Sequence, residues 1–230
     1  MHPERSTVLL PSLWLGLVLL APTPAPAQSG VAVSGKVTIL ERDARPSEDL
    51  AQTVVWLTGA GVPDGTPSHA EMATEGKQFT PRLVVVAPGS TVNFPNHDPF
   101  SHNVFSLSPE GAFDLGLYGR GGAKAVTFKR AGVIRVYCNV HAQMRGLILV
   151  VPSGFVTQPG PDGSFTLADV PAGSYVLHAW HERGGELEEP LSVGEGEQTP
   201  LSLTLDARRY RLQEHLDKNG QSYYDRESRY

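Results

Sequence analysis

The sequence has a single cysteine among its 230 residues, Cys138. One thiol cannot form a disulfide within the chain, so Cys138 is bonded to another molecule, buried as a small apolar side chain, or used as a ligand. Proteins in oxidising compartments usually use their cysteines in pairs. If the chain is exported, its lone cysteine is therefore a candidate for a specific chemical role.

The sequence also lacks a strong excess of either charge. It has 19 Lys and Arg against 24 Asp and Glu, a formal net charge of -5, and no basic stripe. Nucleic acid is therefore not an expected partner. We recognise no nucleophile with a neighbouring base, no paired carboxylates in a motif and no phosphate-binding loop, and so we expect a protein that is not an enzyme.

Long apolar runs are absent after the N-terminal region. Residues 8–20 form an apolar run that follows Arg5, and Ala-Pro-Ala stands at residues 25–27. This arrangement predicts a signal peptide over residues 1–27, cleaved before Gln28. The run is short for a transmembrane helix, and an uncleaved N-terminal anchor is the alternative. We expect a periplasmic or secreted protein with no membrane span in the mature chain.

Glycine and proline are abundant, with 24 and 19 residues, and they separate short segments of alternating hydrophobicity. Such short strands between turns predict an all-β fold built from β-sandwiches. Residues 31–40 show the alternation of a first strand. Residues 124–129 and 133–138 predict a hairpin around Ala131-Gly132.

The last residues differ in character from the rest. We predict that residues 206–230 form a polar C-terminal tail. Tyr210, Leu212 and Leu216 could form one face of a short helix, and a mobile tail is the equal alternative.

Cys138 lies in a short loop that also contains His141 and Met144, directly after a predicted strand. A thiolate and a thioether suit Cu(I), whereas imidazoles are good ligands for Cu(II). The thioether argues against zinc. A second imidazole must come from elsewhere, and His102, at the start of another predicted strand, is the best candidate. His97 is the competing candidate.

The remaining histidines lack a comparable pattern. His178 and His181 flank Trp180 on a predicted strand, where a spacing of three places side chains on opposite faces, so we do not expect them to share a metal. His69 and His215 have no supporting pattern.

Residues 68–152 resemble the cupredoxins, the type I blue copper family that includes amicyanin and plastocyanin. The resemblance is carried by Cys-x2-His-x2-Met after Tyr-Cys, by His-Asn-Val at residues 102–104 and by Pro-Gly-Ser-Thr-Val-Asn-Phe at residues 88–94. Two departures are Ala131-Gly132, where the family usually has Pro-Gly, and the absence of a proline in the ligand loop.

The resemblance implies a cupredoxin Greek-key β-sandwich that holds one type I copper ion. The implied ligands are His102, Cys138, His141 and Met144. Asn103 matches the position that ties the two ligand loops together by hydrogen bonds in the family.

The resemblance also implies a function. It suggests an exported protein that transfers single electrons between redox partners such as a c-type cytochrome or a dehydrogenase. His141 would reach the surface within an apolar patch that includes Pro99, Phe100 and Ala142. Two alternatives remain open, namely a copper-binding or copper-delivery protein and a structural or adhesion module with a vestigial copper site.

Residues 154–205 resemble a carboxypeptidase regulatory-like domain, a small β-sandwich of the transthyretin type. The resemblance rests on Asp-Gly-Ser-Phe-Thr-Leu at residues 162–167 and Val-Pro-Ala-Gly-Ser-Tyr-Val-Leu at residues 170–177. Residues 34–37 and 54–57 fit the opening strands of that family.

The opening strands therefore precede the cupredoxin-like stretch, and the rest of the second sandwich follows it. We predict a split sandwich of residues 31–59 and 153–205, with the cupredoxin domain of residues 68–152 inserted. The alternative is two sequential domains, in which residues 31–59 are additional strands of the cupredoxin.

Overall fold

The computed structural model describes residues 30–223 except residues 44, 46 and 197. The predicted signal peptide and residues 224–230 of the predicted tail lie outside the described residues. None of the helical structure in the described part has the length and apolar character needed to span a membrane.

Regular structure in the described residues consists of 17 strands and a short 3-10 helix at Leu50–Gln52. In chain order the strands are β1 (Val31–Leu40), β2 (Val54–Thr58), β3 (His69–Glu71), β4 (Ala73–Glu75), β5 (Gln78–Thr80), β6 (Leu83–Val86), β7 (Ser90–Pro95), β8 (His102–Ser106), β9 (Phe113–Tyr118), β10 (Ala123–Phe128), β11 (Gly132–Cys138), β12 (Arg145–Val150), β13 (Val156–Thr157), β14 (Ser164–Val170), β15 (Gly173–His181), β16 (Gly185–Val193) and β17 (Leu201–Asp206). The predicted all-β fold, a Greek-key sandwich with a second small sandwich, is confirmed.

The strands between residues 68 and 151 form a first sandwich, which we call the central sandwich. One sheet has the order β6-β12-β11-β8-β9 and the other the order β10-β7-β3, with β4 and β5 paired beside them. Alternate residues of β7, such as Val92 and Phe94, are fully buried, as the two-residue period of a strand requires. They pack in one apolar core with Phe128, Ile134 and Ile148.

The predicted hairpin of residues 124–129 and 133–138 is wrong. β10 pairs with β7 in one sheet, whereas β11 pairs with β12 and β8 in the other. Both segments do form strands, but the turn before Gly132 carries the chain across the core from one sheet to the other. Local alternation identifies a strand without identifying its partner.

A second sandwich, the flanking sandwich, consists of residues 31–58 and 155–206. In one sheet β1 lies between β14 and β17, and in the other the order is β13-β2-β15-β16. Val33, Val37 and Ile39 of β1 are buried and pack in the core between these sheets with Val55 and Leu57 of β2. Among the described strands, β1 and β2 pair only with strands after residue 155.

The two sandwiches share an apolar interface. The residues of β2 that face away from its own core, Val54 and Trp56, cluster with Trp180, and also with Leu147 and Leu149 of β12. β12 is therefore buried on both faces, because its alternate residues lie in the core of the central sandwich. The position of this strand depends on both sandwiches.

The C-terminal segment, residues 207–223, contains turns but no helix. Leu212 and Leu216, which would form the apolar face of the alternative helix, are 62% and 51% exposed. The segment instead contacts the central sandwich through His215 and Lys218. These contacts hold the segment against the central sandwich without helical structure. The spacing of its apolar residues was therefore not enough to predict its conformation.

Candidate metal centre

Three of the four predicted ligands are presented by the loop between β11 and β12. Cys138 is the last residue of β11, and Met144 directly precedes β12. Pairing of the strands continues to Tyr137 and Arg145. Beyond it, the Cys138 amide lies 3.4 Å from the Met144 carbonyl oxygen, and the Met144 amide donates to the His141 carbonyl oxygen at 3.1 Å. Hydrogen bonds within the backbone of the loop thus fix its conformation.

The fourth predicted ligand is brought to this loop by the pairing of β8 with β11. Cys138 is opposite Val104, and the Asn139 amide donates to the Asn103 carbonyl oxygen at 2.9 Å. His102 consequently lies beside the loop, with Nδ1 3.6 Å from Cys138 Sγ.

His141 approaches the same sulfur from within the loop. Its Nδ1 is also 3.6 Å from Cys138 Sγ, and the donor atoms of His102, Cys138 and His141 all lie within 4.8 Å of one another. Metal–nitrogen and metal–sulfur bonds of about 2.0 and 2.3 Å, at trigonal to tetrahedral angles, separate the two donors by roughly 3.5–3.7 Å. The observed separations fit one shared ion.

Burial distinguishes the members of this group. Cys138 and His102 are fully buried and Met144 is 1% exposed, whereas His141 is half-buried. Met144 packs in the same core cluster as Cys138. The four predicted ligands thus comprise one thiol, two imidazoles and one thioether, which are donor types that suit copper in both oxidation states.

Asp98 holds the His102 ring. Its Oδ2 lies 2.8 Å from His102 Nε2, and its carboxylate accepts the backbone amides of Gly76 at 2.7 Å and Lys77 at 3.0 Å. Burial raises the pKa of Asp98, but the Lys77 amide, His102 and the Gly76 amide outweigh burial and hold that pKa below its usual value. The ionised carboxylate accepts the Nε2 proton, which leaves Nδ1 as the lone-pair donor facing the sulfur.

Burial lowers the pKa of His141, and its electrostatic interactions with His102 and Lys77 lower that pKa further, with Asp98 opposing them. A lowered pKa keeps this imidazole neutral. Only the neutral ring offers a lone pair to a metal.

Asn103 connects β8 to the ligand loop mainly through its backbone. Its carbonyl oxygen accepts the Asn139 amide, while its side-chain amide donates to Asp114 Oδ1 at 2.6 Å. Asp114 also pairs with Lys218 of the C-terminal segment. Burial raises the pKa of Asp114, and hydrogen bonds from Lys218 and Asn103 bring it down to about 2.

The C-terminal segment reaches the ligand loop. His215 stacks on Tyr137 with ring centroids 4.1 Å apart, the Tyr223 hydroxyl donates to the Cys138 carbonyl oxygen at 2.7 Å, and the Lys218 amide donates to Asn139 Oδ1 at 3.0 Å. Sequence reasoning missed these contacts, since His215 stands in no pattern. It also missed the role of Asp98, although a carboxylate four residues before a candidate ligand was a usable signal.

The other histidines lie outside the donor cluster. His97 is exposed. His178 contacts Thr58 and Glu186, whereas His181 lies 3.4 Å from Asp49. In the described part of the chain, His178 and His181 therefore have different partners.

Residues 68–151 match the family model of the copper binding proteins, plastocyanin/azurin family. The match covers the central sandwich and the donor cluster. These residues are therefore similar to the copper-binding proteins of that family. No curated protein matches the chain.

Three solved structures are similar to part of the chain. The purple cupredoxin of Nitrosopumilus maritimus is 23% identical and covers 36% of this chain and 99% of its own, with a TM-score of 0.33. Amicyanin from Paracoccus versutus is 23% identical and covers 42% and 97%, with a TM-score of 0.34. The copper-containing nitrite reductase of Thermus scotoductus SA-01 is 23% identical and covers 50% and 28%, with a TM-score of 0.35.

Replacing Asp98 by Asn tests the role of the buried carboxylate. We expect the reduction potential of the copper-loaded protein to rise, because a carboxylate that accepts the His102 proton strengthens the ring as a donor to Cu(II). Partners of this kind contribute about 10–100-fold to metal affinity. If Cu(II) alone loses that affinity, the one-electron potential rises by about 60–120 mV. Direct electrochemistry measures it.

Asp64→Asn is the matched control, since Asp64 is an exposed carboxylate outside the donor cluster. It removes the same charge and should leave the potential unchanged. An unaltered or lowered potential in Asp98→Asn, with the copper site still intact by its visible spectrum, would contradict the assigned role.

Proposed function

We propose that the protein is an exported carrier of single electrons that uses one type I copper ion held by His102, Cys138, His141 and Met144. The main support for this proposal is that the Nδ1 atoms of His102 and His141 each lie 3.6 Å from the buried Cys138 thiol. A copper ion bound there supplies one-electron redox chemistry between Cu(II) and Cu(I). The chain contributes ligands, their fixed positions and the exclusion of water.

The ligand positions are constrained from several sides, which favours electron transfer over copper delivery. His102 is held by Asp98, and Cys138 by strand pairing and by the Val140 amide, 3.4 Å from the sulfur. A donor set that moves little between two oxidation states lowers the reorganisation that accompanies electron transfer. A protein that delivers copper instead needs ligands that can open.

The surface around His141 is the proposed port for the electron. Phe100 is 36% exposed and Val140 is 49% exposed, and the Phe100 ring lies 5.5 Å from the His141 ring and 5.2 Å from the His102 ring. Together with Pro99 and Ala142 they form an apolar patch over a half-buried ligand. Such a patch suits brief docking of redox proteins, for example a c-type cytochrome or a dehydrogenase. We assign no catalytic residue.

Val140→Asp tests the patch by electron self-exchange between reduced and oxidised copies. If two patches face each other during exchange, the new like charges repel, and the rate constant should fall about tenfold or more at low salt. NMR line broadening of mixed redox states measures the rate. The visible spectrum should not change, because only the side chain of Val140 is altered.

Leu107→Asp is the matched control. Leu107 is 59% exposed and follows the end of β8 opposite to His102. An equal loss of rate in both variants would show that net charge, rather than the patch, controls the exchange, and would contradict the proposed port.

We also propose that the flanking sandwich is a carboxypeptidase regulatory-like domain into which the copper domain is inserted. The proposal is supported by the pairing of β2 with β13, in which Trp56 is opposite Val156. The Leu57 amide donates to the Phe155 carbonyl oxygen at 3.1 Å. The chain thus leaves and re-enters the flanking sandwich at adjacent points.

Joining these points directly tests the insertion. Replacing residues 59–153 by Asn-Gly creates a two-residue hairpin between Thr58 and Gly154. The substitutions Val54→Thr, Trp56→Thr and Trp180→Thr make the newly exposed face polar. We expect this spliced chain to unfold cooperatively on heating, as followed by circular dichroism. A chain with no thermal transition would argue instead for sequential domains that fold together.

A further inference from the structure

A cavity of about 310 Å³ lies between the outer face of the β11–β12 pair and the C-terminal segment. Residues 210–215 form one wall, and Glu182 of the flanking sandwich closes one side. The cavity therefore exists only where both sandwiches and the C-terminal segment meet. It is separate from the His141 patch and contains none of the proposed copper ligands.

The floor of the cavity is cationic because of strand register. Tyr137 is opposite Arg145 and Arg135 is opposite Leu147, so the two arginines and Tyr137 project from the same outer face. Arg211 approaches from the C-terminal segment.

The guanidinium groups of Arg135 and Arg145 make no ion pair and no hydrogen bond with any residue between 30 and 223 that the structure describes. The phenol groups of Tyr137 and Tyr210 line the same cavity. The site thus offers unused, directed hydrogen-bond donors.

The acidic groups at the cavity do not cancel this charge. Glu182 forms an ion pair with Arg82. Glu214 of the C-terminal segment is the other acidic residue in the lining, which also contains three arginines. With Arg82 included, the site keeps an excess of two positive charges, in a chain whose formal net charge is -5. A local excess of this sign attracts anions.

We propose that this cavity, which we call the arginine cavity, binds a small oxyanion, namely a ligand with phosphate or carboxylate groups. Guanidinium groups pair with such oxygens in a bidentate manner, and the phenols supply further donors. The enclosed volume suits a small ligand. The proposal is independent of electron transfer, because none of its donors is a proposed copper ligand.

A bound anion would connect the C-terminal segment to the central sandwich, because residues of both line the cavity. Arg211 and Tyr210 belong to this segment, while Arg135 and Arg145 belong to the central sandwich. An anion between them links the segment to the strands that end at the ligand loop. Binding should therefore raise the thermal stability of the protein.

Isothermal titration of the copper-loaded mature protein with inorganic phosphate and, separately, with citrate tests the proposal at low salt. We expect saturable one-to-one binding of at least one probe, weakened by added sodium chloride. The comparison of the two probes distinguishes phosphate from carboxylate as the preferred group. Arg145→Gln should weaken binding about tenfold or more, which corresponds to one charge-assisted pair.

Arg135→Gln is a second variant, because Arg145 adjoins Met144 and its replacement could disturb the copper site. It should also weaken binding, with an unchanged visible spectrum. Arg120→Gln is the matched control, since Arg120 is exposed, lies outside the cavity and carries the same charge. Failure of both probes to bind, or an equal loss in Arg120→Gln, would overturn the proposal.

Discussion

The candidate metal centre depends on the antiparallel contact between β8 and β11. Without it, Cys138, His141 and Met144 would form a loop with three donors and no second imidazole. The contact places Val104 opposite Cys138 and brings His102 Nδ1 to 3.6 Å from the thiol. A non-local pairing thus completes a site that the loop alone only begins, so the fold is a condition of the chemistry.

The surroundings of this contact immobilise it. Asp98 fixes one ring through a buried carboxylate, and the C-terminal segment covers the backbone of Cys138 through the Tyr223 hydroxyl. One face of β12 packs in the core of the central sandwich, and its other face packs against the cluster that contains Trp56 and Trp180. The flanking sandwich therefore supports the strand that follows the ligand loop, in addition to any contact that it makes with a partner.

The β class, and the grouping of Cys138, His141 and Met144 in one loop, could be predicted because both follow from local spacing. Ligand types in one loop can be read directly, and β1 was located by alternation alone. The hairpin before Gly132 was wrongly predicted, because alternation does not reveal which sheet a strand joins. The contacts of Asp98 and His215 depend on segments distant in the chain meeting in the fold. Local sequence patterns do not predict which distant segments come into contact.

The most direct test of the account is the combined optical and EPR spectrum of the copper-loaded mature protein, with Cys138→Ser as the control. A buried thiolate bound to Cu(II) together with two imidazoles predicts intense visible absorption from charge transfer and one copper ion per chain, both lost in the control. A colourless wild-type protein, or a colour that persists in Cys138→Ser, would contradict the assignment of a type I copper site.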